Sequence, residues 1–378
     1  METKIKDRGT LQNFLCKAKN FMKATPIEKC NVFFVIGNES ADLDSIISAI
    51  VYAFYLHEKV RKQNGKDIYV PVVCIPEEDM HLRTEVIVLF QKCGIDLKDI
   101  VYINEVNFLA CLTSYTVNVT LVDHNDVGTH GVLKNSVHRI VDHHQDSMQF
   151  DESKVCKNIK MVGSCCTLVA EEIYYNKSEL LSIHPVAELL LAAILIDTIN
   201  LDLHSARTVE LDVFIGEVLS QHITQDPDEL FELLQKAKLD ISPMSSYNIL
   251  RKDYKKVPSC AVQMGISSVM LEPSQLLARG DFLSVVQSYL SRNELQAIVI
   301  MFIYFDKNSI PLREIAVVSE SVTTCDRIVT CLLSHTKKLD LYEIANKITN
   351  VSKPSMRLFK QANVKSSRKV VLPLLQEM

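Results

Sequence analysis

Short apolar runs that alternate with helix-length stretches constrain this chain more than any other feature. NVFFVI ends at Gly37, and SIISAIVYAFYLHEKV (45–60) follows as a buried helix. IYVPVVCI (68–75) reads as the next strand. RTEVIVLFQKCG (83–94) reads as the next helix, stopped by its glycine. VNVTLVD (117–123) and HRIVD (138–142) are two further strands. Helices are expected over about 11–24, 164–175, 187–198 and 206–220. Strands separated by helices pair through crossovers, which build a parallel sheet covered on both faces. The expected class is therefore α/β, with an N-terminal doubly wound, mainly parallel sheet.

A polar segment with a proline, SQHITQDPDEL (220–230), interrupts that pattern. It predicts a first domain over 1–220, a linker at 221–228 and a smaller C-terminal α/β domain over 229–378. In the second domain the sequence suggests a helix near 229–238, a strand around CAVQMGISSV, one helix over 274–291 and the strand IVIMFIYF. SSRKVVLPLLQEM is expected to close the chain without a tail.

The 378 residues carry a net charge of −5, so no basic field is available to hold nucleic acid or an acidic membrane surface. No run approaches the roughly 18 apolar residues of a membrane span. METKIKDRGT is too polar for a signal peptide. The eleven cysteines form no C-x-x-C pair, and reduced thiols in a cytoplasmic, possibly also nuclear, protein are expected.

Acidic residues crowd just after the strands. GNESADLDS brings Asn38, Glu39, Asp42 and Asp44; LVDHND brings Asp123, His124 and Asp126; VDHHQD brings Asp142, His143, His144 and Asp146; LIDT brings Asp197. Each has a plain structural alternative. Asp42 or Asp44 could cap the following helix, the paired histidines could be a polar loop, and Asp197 could bond backbone amides. Together, however, unpaired carboxylates at the carboxyl edge of a parallel sheet repel one another, and divalent cations remove that penalty. Aspartates plus imidazole, without thiolates, suit Mg²⁺ or Mn²⁺ rather than a structural zinc. Asp42 and Asp44 could each face one of two ions, with Asp123 and Asp197 bridging them.

These four stretches, in this order, resemble the motifs of the DHH phosphoesterase superfamily, and Asp142-His143-His144 is its name-giving triplet. NILRKDYK and SSRKVVLPLLQE resemble signatures of the associated C-terminal domain. GNESADLDS, LQKAKLDIS and SRKVVLPLLQE point to the branch of prune proteins and cytosolic exopolyphosphatases, relatives of family II inorganic pyrophosphatases. The resemblance implies two divalent cations, Mn²⁺ or Mg²⁺, held by Asp42, Asp44, Asp123, His143 and Asp197. It implies His144 at the leaving group, and His124, Lys255, Arg368 and Lys369 on the substrate, with the active site in a cleft between the domains. Family II pyrophosphatases carry a histidine ligand where this chain has Asn38, and the amide implies easier use of Mg²⁺. Release of orthophosphate from short inorganic polyphosphate, with pyrophosphate a weaker substrate, is the activity expected. The alternatives are a cyclic-nucleotide phosphodiesterase and a regulatory scaffold with reduced catalysis; protein partners are not readable.

Overall fold

The computed structural model describes residues 10–24, 30–60, 67–242, 244–258, 261–308, 310–344 and 354–378. The chain divides into two compact units, 1–238 and 239–378.

The first unit holds five strands, β1 (Asn31–Ile36), β2 (Asp67–Val72), β3 (Thr116–Val122), β4 (Val137–Asp142) and β5 (Cys156–Ile159). All neighbours are parallel, in the order β2-β1-β3-β4-β5. Its helices are α1 (Leu11–Lys23), α2 (Leu43–Val60), α3 (Thr84–Cys93), α4 (Phe108–Ser114), α5 (Cys165–Lys177), α6 (Val186–Asp197), α7 (Glu210–Ser220) and α8 (Pro227–Leu239). β1 shows why the sheet needs helices on both sides. Val35 packs into one core with α2, α5 and α6, while Val32, Phe34 and Ile36 pack into a second with Phe108 and Leu133. Helix α6 is apolar between Glu188 and Asp197, and that stretch lies inside the first of these cores, as its sequence requires.

The chain leaves β1 towards β2 on one side and β3 on the other. This reversal opens a crevice at the carboxyl ends of β1 and β3.

The second unit is a six-stranded sheet, β6 (Tyr254–Lys256), β7 (Met264–Val269), β8 (Ala297–Phe305), β9 (Pro311–Ser319), β10 (Leu341–Glu343) and β11 (Ser355–Gln361). Its order is β10-β11-β9-β8-β7-β6, parallel only between β7 and β8. Helices α9 (Ser246–Lys252), α10 (Pro273–Leu277) and α11 (Phe282–Arg292) accompany one core, and α12 (Val322–Ser334), α13 (Thr336–Leu339) and α14 (Arg368–Gln376) the other.

Three expectations differ from the structure. The single helix over 274–291 is two, α10 and α11, because Gly280 between them takes φ +71°. The helix expected from 206 begins at Glu210, because the chain from 198 to 209 is occupied with turns around Thr198. The polar stretch 221–228 leads into α8, whose Leu230 and Leu234 are buried in the first unit's core. Ten cysteines are free thiols and Cys260 lies outside the described residues. Among the described residues no helix is long and apolar enough to cross a membrane.

Candidate metal centre

A cavity of about 520 Å³ opens where the carboxyl ends of β1, β3 and β4 meet the end of α6. Asn38, Asp42, Asp44, Asp123, His143, His144 and Asp197 all line it. Residues as far apart in sequence as Asn38 and Asp197 thus meet, because the parallel sheet delivers its strand ends to one edge.

The helix-cap alternative is realised for Asp42 and not for Asp44, and both remain in the cavity lining. Asp42 Oδ1 accepts from Ser45 N at 3.1 Å and caps α2. Asp44 caps a different helix: its oxygens accept from Cys165 N and Cys166 N at 2.6 and 2.8 Å, at the start of α5. An anion there is favoured by the helix dipole. A carboxylate has about four lone-pair sites, so these bonds leave capacity for a cation.

Asn38 behaves differently from the expectation. Its Oδ1 accepts from Ser40 N at 3.0 Å, Ser40 Oγ at 2.7 Å and Ala41 N at 3.1 Å. Its amide N–H donates to Asp123 Oδ2 at 2.7 Å. The oxygen that would be a ligand is engaged in the turn, and Asn38 braces Asp123 instead.

Asp123 and His143 form the centre of the cluster. His143 Nδ1 lies 3.0 Å from the Val162 carbonyl, which can only accept, so Nδ1 carries hydrogen and Nε2 is the free ligand atom. That Nε2 is 3.1 Å from Asp123 Oδ1 and 3.7 Å from Asp44 Oδ2. Burial, reinforced by the Asp44 charge, pushes the Asp123 carboxyl up to about 8. Burial also opposes charge on His143, but the Asp123 hydrogen bond and the Asp44 charge outweigh it and hold the ring up to about 10. Without metal, protonation of Asp123 and His143 offsets the crowded negative charge that a cation could otherwise offset.

Asp197 is the most telling residue. It ends the apolar helix α6, at the negative end of that helix's dipole. Its Oδ2 is buried and has no hydrogen-bond partner among the described residues. Burial, then Asp44 and Asp42, pushes its carboxyl well above the usual range. A buried carboxylate so placed costs several kcal/mol unless a cation meets it. The lining has oxygen and imidazole donors and no thiol, so these residues fit hard or borderline divalent cations. Asp123, His143 and His144 can each bring one ligand atom within 4.8 Å of the others. His144 Nδ1, however, is 2.8 Å from Asp142 Oδ1 and donates to it.

Sequence reasoning did not assign Asp142 a role. The carboxylate is fully buried and accepts from His143 N, His144 N, His144 Nδ1 and Asn125 Nδ2 at 2.8, 3.2, 2.8 and 2.6 Å. Burial would raise it, but its hydrogen bonds with His144 hold it below the ordinary value. In return Asp142 raises His144 and leaves its Nε2 outward, with the side chain 57% exposed. Asp212 was also missed. It accepts from Gly163 N at 2.9 Å, Thr167 Oγ1 at 2.6 Å and Val209 N at 2.9 Å. It therefore anchors the loop whose Val162 carbonyl orients His143. Gly163 is obligatory there: a Cβ would meet Thr198 Cγ2 at 2.5 Å and the Arg207 carbonyl at 2.6 Å.

Backbone strain gathers around the same groups. Ala41, Asp123, Ile199, Asn200 and Leu201 all have φ between +44° and +63°. They adjoin Asp42, include Asp123 or follow Asp197 closely, as expected where function fixes a turn that the residues themselves disfavour.

His124 is not brought to the cavity. Its Nδ1 bonds the Val122 carbonyl at 2.9 Å, and burial lowers its pKa. Lys255, Arg368 and Lys369 belong to the second unit. Arg368, the first residue of α14, pairs with Asp253 Oδ1 and donates to the Asp253 carbonyl, both at 2.7 Å. This brings α14 beside the strand that carries Lys255; Lys255 and Lys369 are exposed.

Comparison with known proteins places the chain in a family. Residues 32–194 match the DHH family, N-terminal domain, and residues 232–378 match the DHHA2 domain. The exopolyphosphatase PRUNE1 of Bos taurus is 31% identical over 376 residues, covering 97% of this chain and 79% of that protein. A manganese-dependent inorganic pyrophosphatase of Methanothrix thermoacetophila is 27% identical over 272 residues, covering 71% and 80%. A crystal structure from Methanococcus jannaschii, assigned to the family II inorganic pyrophosphatases, shares the fold. Its TM-score is 0.52 at 22% identity, over 91% of this chain and 98% of that one.

Proposed function

This chain belongs to the DHH family with a DHHA2 second domain, and on that premise we propose that it is a metal-dependent exopolyphosphatase. It is a phosphohydrolase that releases orthophosphate from short inorganic polyphosphate, with pyrophosphate a weaker substrate. Named exopolyphosphatase and pyrophosphatase relatives support the reaction class.

The observation that carries the reading is Asp197: a buried, unpartnered carboxylate oxygen facing a cavity already lined by Asp42, Asp44 and Asp123. We assign Asp42, Asp44, Asp123, His143 and Asp197 as ligands of two divalent cations, Mn²⁺ or Mg²⁺. Bound there, such cations supply neutralisation of phosphate charge and a water acidic enough to attack near neutral pH. The chain's own groups do the rest. Val162 and Asp44 hold the His143 ring in place, and Asn38 holds Asp123. Asp142 keeps hydrogen on His144 Nδ1 and favours a second proton at Nε2. His144 Nε2 is the donor to the departing oxygen, and Asp142 stabilises the charged ring beforehand. Lys255, Arg368 and Lys369 are assigned to phosphate binding on the second unit, the lysines as point charges.

Orthophosphate release from tripolyphosphate and pyrophosphate, measured with Mn²⁺ and then Mg²⁺ on wild type and Asp197→Ala, tests this reading. Release that depends on metal and disappears in the variant is expected. Absence of turnover of either substrate by a wild-type protein that binds Mn²⁺ overturns it.

A further inference from the structure

The cavity has one feature that the metal reading leaves unused. Arg207 lines it beside Ala206 and Val209, and apart from the two histidines it is the cationic residue among those lining it. Its guanidinium is exposed and makes no ion pair or hydrogen bond among the described residues. The other described arginines of the first unit are engaged. Arg83 donates to the carbonyls of Ala41 and Ser40, and Arg139 pairs with Glu172 and Tyr52.

The root of Arg207 is nevertheless fixed. Its carbonyl lies against Gly163, where even a methyl group would collide. Its neighbour Thr208 donates from Oγ1 to the Thr198 carbonyl at 2.8 Å, one residue past Asp197. The guanidinium thus stands on a backbone tied both to the loop that orients His143 and to the residue following the unpartnered Asp197.

A free arginine at the rim of a carboxylate cluster would ordinarily be drawn into a pair with it. If the carboxylates are committed to cations, the arginine remains available for an anion that arrives with them. Condensed phosphates carry charge on every unit, so neutralising the attacked phosphate leaves the next one unmatched. A planar guanidinium grips such a group bidentately. A phosphomonoester has no second phosphate to offer it.

We infer that Arg207 is a specificity residue of this site: it binds the phosphate adjoining the one hydrolysed, and so selects condensed phosphates over phosphomonoesters. The inference rests on the phosphohydrolase reading above. The Arg207 guanidinium is exposed and has no partner among the described residues, so replacing it should leave the fold intact.

The test is steady-state hydrolysis of tripolyphosphate and p-nitrophenyl phosphate by the Mn²⁺-loaded full chain, as wild type, Arg207→Ala and Arg207→Lys. In Arg207→Ala, KM for tripolyphosphate should rise about tenfold, as expected for loss of one charge-assisted contact. Its kcat should stay within about twofold of wild type, and Mn²⁺ affinity should be unchanged. Arg207→Lys should fall between the two, and any phosphomonoester turnover should be unaffected by either variant. An unchanged KM in Arg207→Ala overturns the assignment while leaving the phosphohydrolase reading intact, and identifies Arg207 as solvated surface. If wild type hydrolyses no condensed phosphate, that reading fails by itself. Equilibrium binding of tripolyphosphate to the Mn²⁺-loaded protein then decides. Weaker binding by Arg207→Ala upholds the contact; equal binding, or none by either protein, overturns it.

Discussion

Asp142 and Asp212 are buried as deeply as Asp123, yet the layer they form behind the cavity differs from the cavity wall. The two deep aspartates take hydrogen bonds from backbone amides, a hydroxyl, an imidazole and an amide side chain. On the wall, Asp123 lies 3.1 Å from the His143 ring and is pushed up to about 8, and Asp197 leaves an oxygen without a partner among the described residues. The same side chain is thus self-sufficient in one place and dependent on an external charge a few ångströms away. Donor supply separates these two pairs: Asp142 and Asp212 are structural anions, whereas Asp123 and Asp197 have fewer donors and favour a cation.

The sharpest way to break this contrast is Asp197→Asn. It should reduce turnover by at least about 10³-fold, as loss of a cation ligand would. It should also raise the melting temperature of the metal-free protein by a few degrees, because an uncompensated charge is removed. A lower melting point would place Asp197 with the structural anions. Asp212→Ala should behave in the opposite way. It should destabilise by about 3 kcal/mol, since it leaves several buried donors unpaired. Denaturant unfolding of metal-free protein measures this, and a loss below about 1 kcal/mol would dissolve the distinction. His144→Asn tests the boundary between the layers. It should lower kcat about 10²-fold through loss of the proton donor, with Mn²⁺ affinity retained in a titration calorimeter.

The smallest effect is in pH. Asp123 is raised above its unfolded value, so its ionisation costs stability increasingly from the unfolded pKa up to about 8. His143, raised to about 10, contributes stability that is complete below its unfolded value near 6.5 and lost by about 10. Both trends have one sign, and metal-free stability should fall between about pH 6.5 and 9. Added Mn²⁺, which needs both groups deprotonated, should stabilise more strongly as pH rises. Thermal melts across pH with and without Mn²⁺ would show the two curves diverging as pH rises; parallel curves would separate the proton from the metal site.

The wall was legible in the sequence and the layer behind it was not, for a physical reason. Asp42, Asp44 and Asp123 follow β1 and β3, and a parallel sheet brings all such ends to one edge, so an apolar run followed by acid locates them. Asp197 announced itself as a charge ending an apolar helix. Asp212 sits in the first turn of α7, where an acid is ordinary, and its task depends on Gly163 and Thr167, 49 and 45 residues away. Nothing local records that. Asn38 was found but its function was not, because which end of the amide faces Asp123 is set by the turn Ser40–Ala41. His124 lies next to Asp123 in sequence, but the left-handed turn at Asp123 precedes a ring that bonds back to Val122. β5 is four residues long and only partly buried, too short for periodicity to mark.

The two adjacent histidines differ in one more respect. The His143 tautomer is set by a main-chain carbonyl, that of Val162, which every amino acid at that position would provide. The His144 tautomer is set by a side chain, Asp142, which a single nucleotide change can remove. Under mutation, then, the ring we assign to the metal is buffered and the ring we assign as proton donor is not. A lineage drifting away from catalysis can lose the donor's alignment at position 142 while keeping a site that still captures cations.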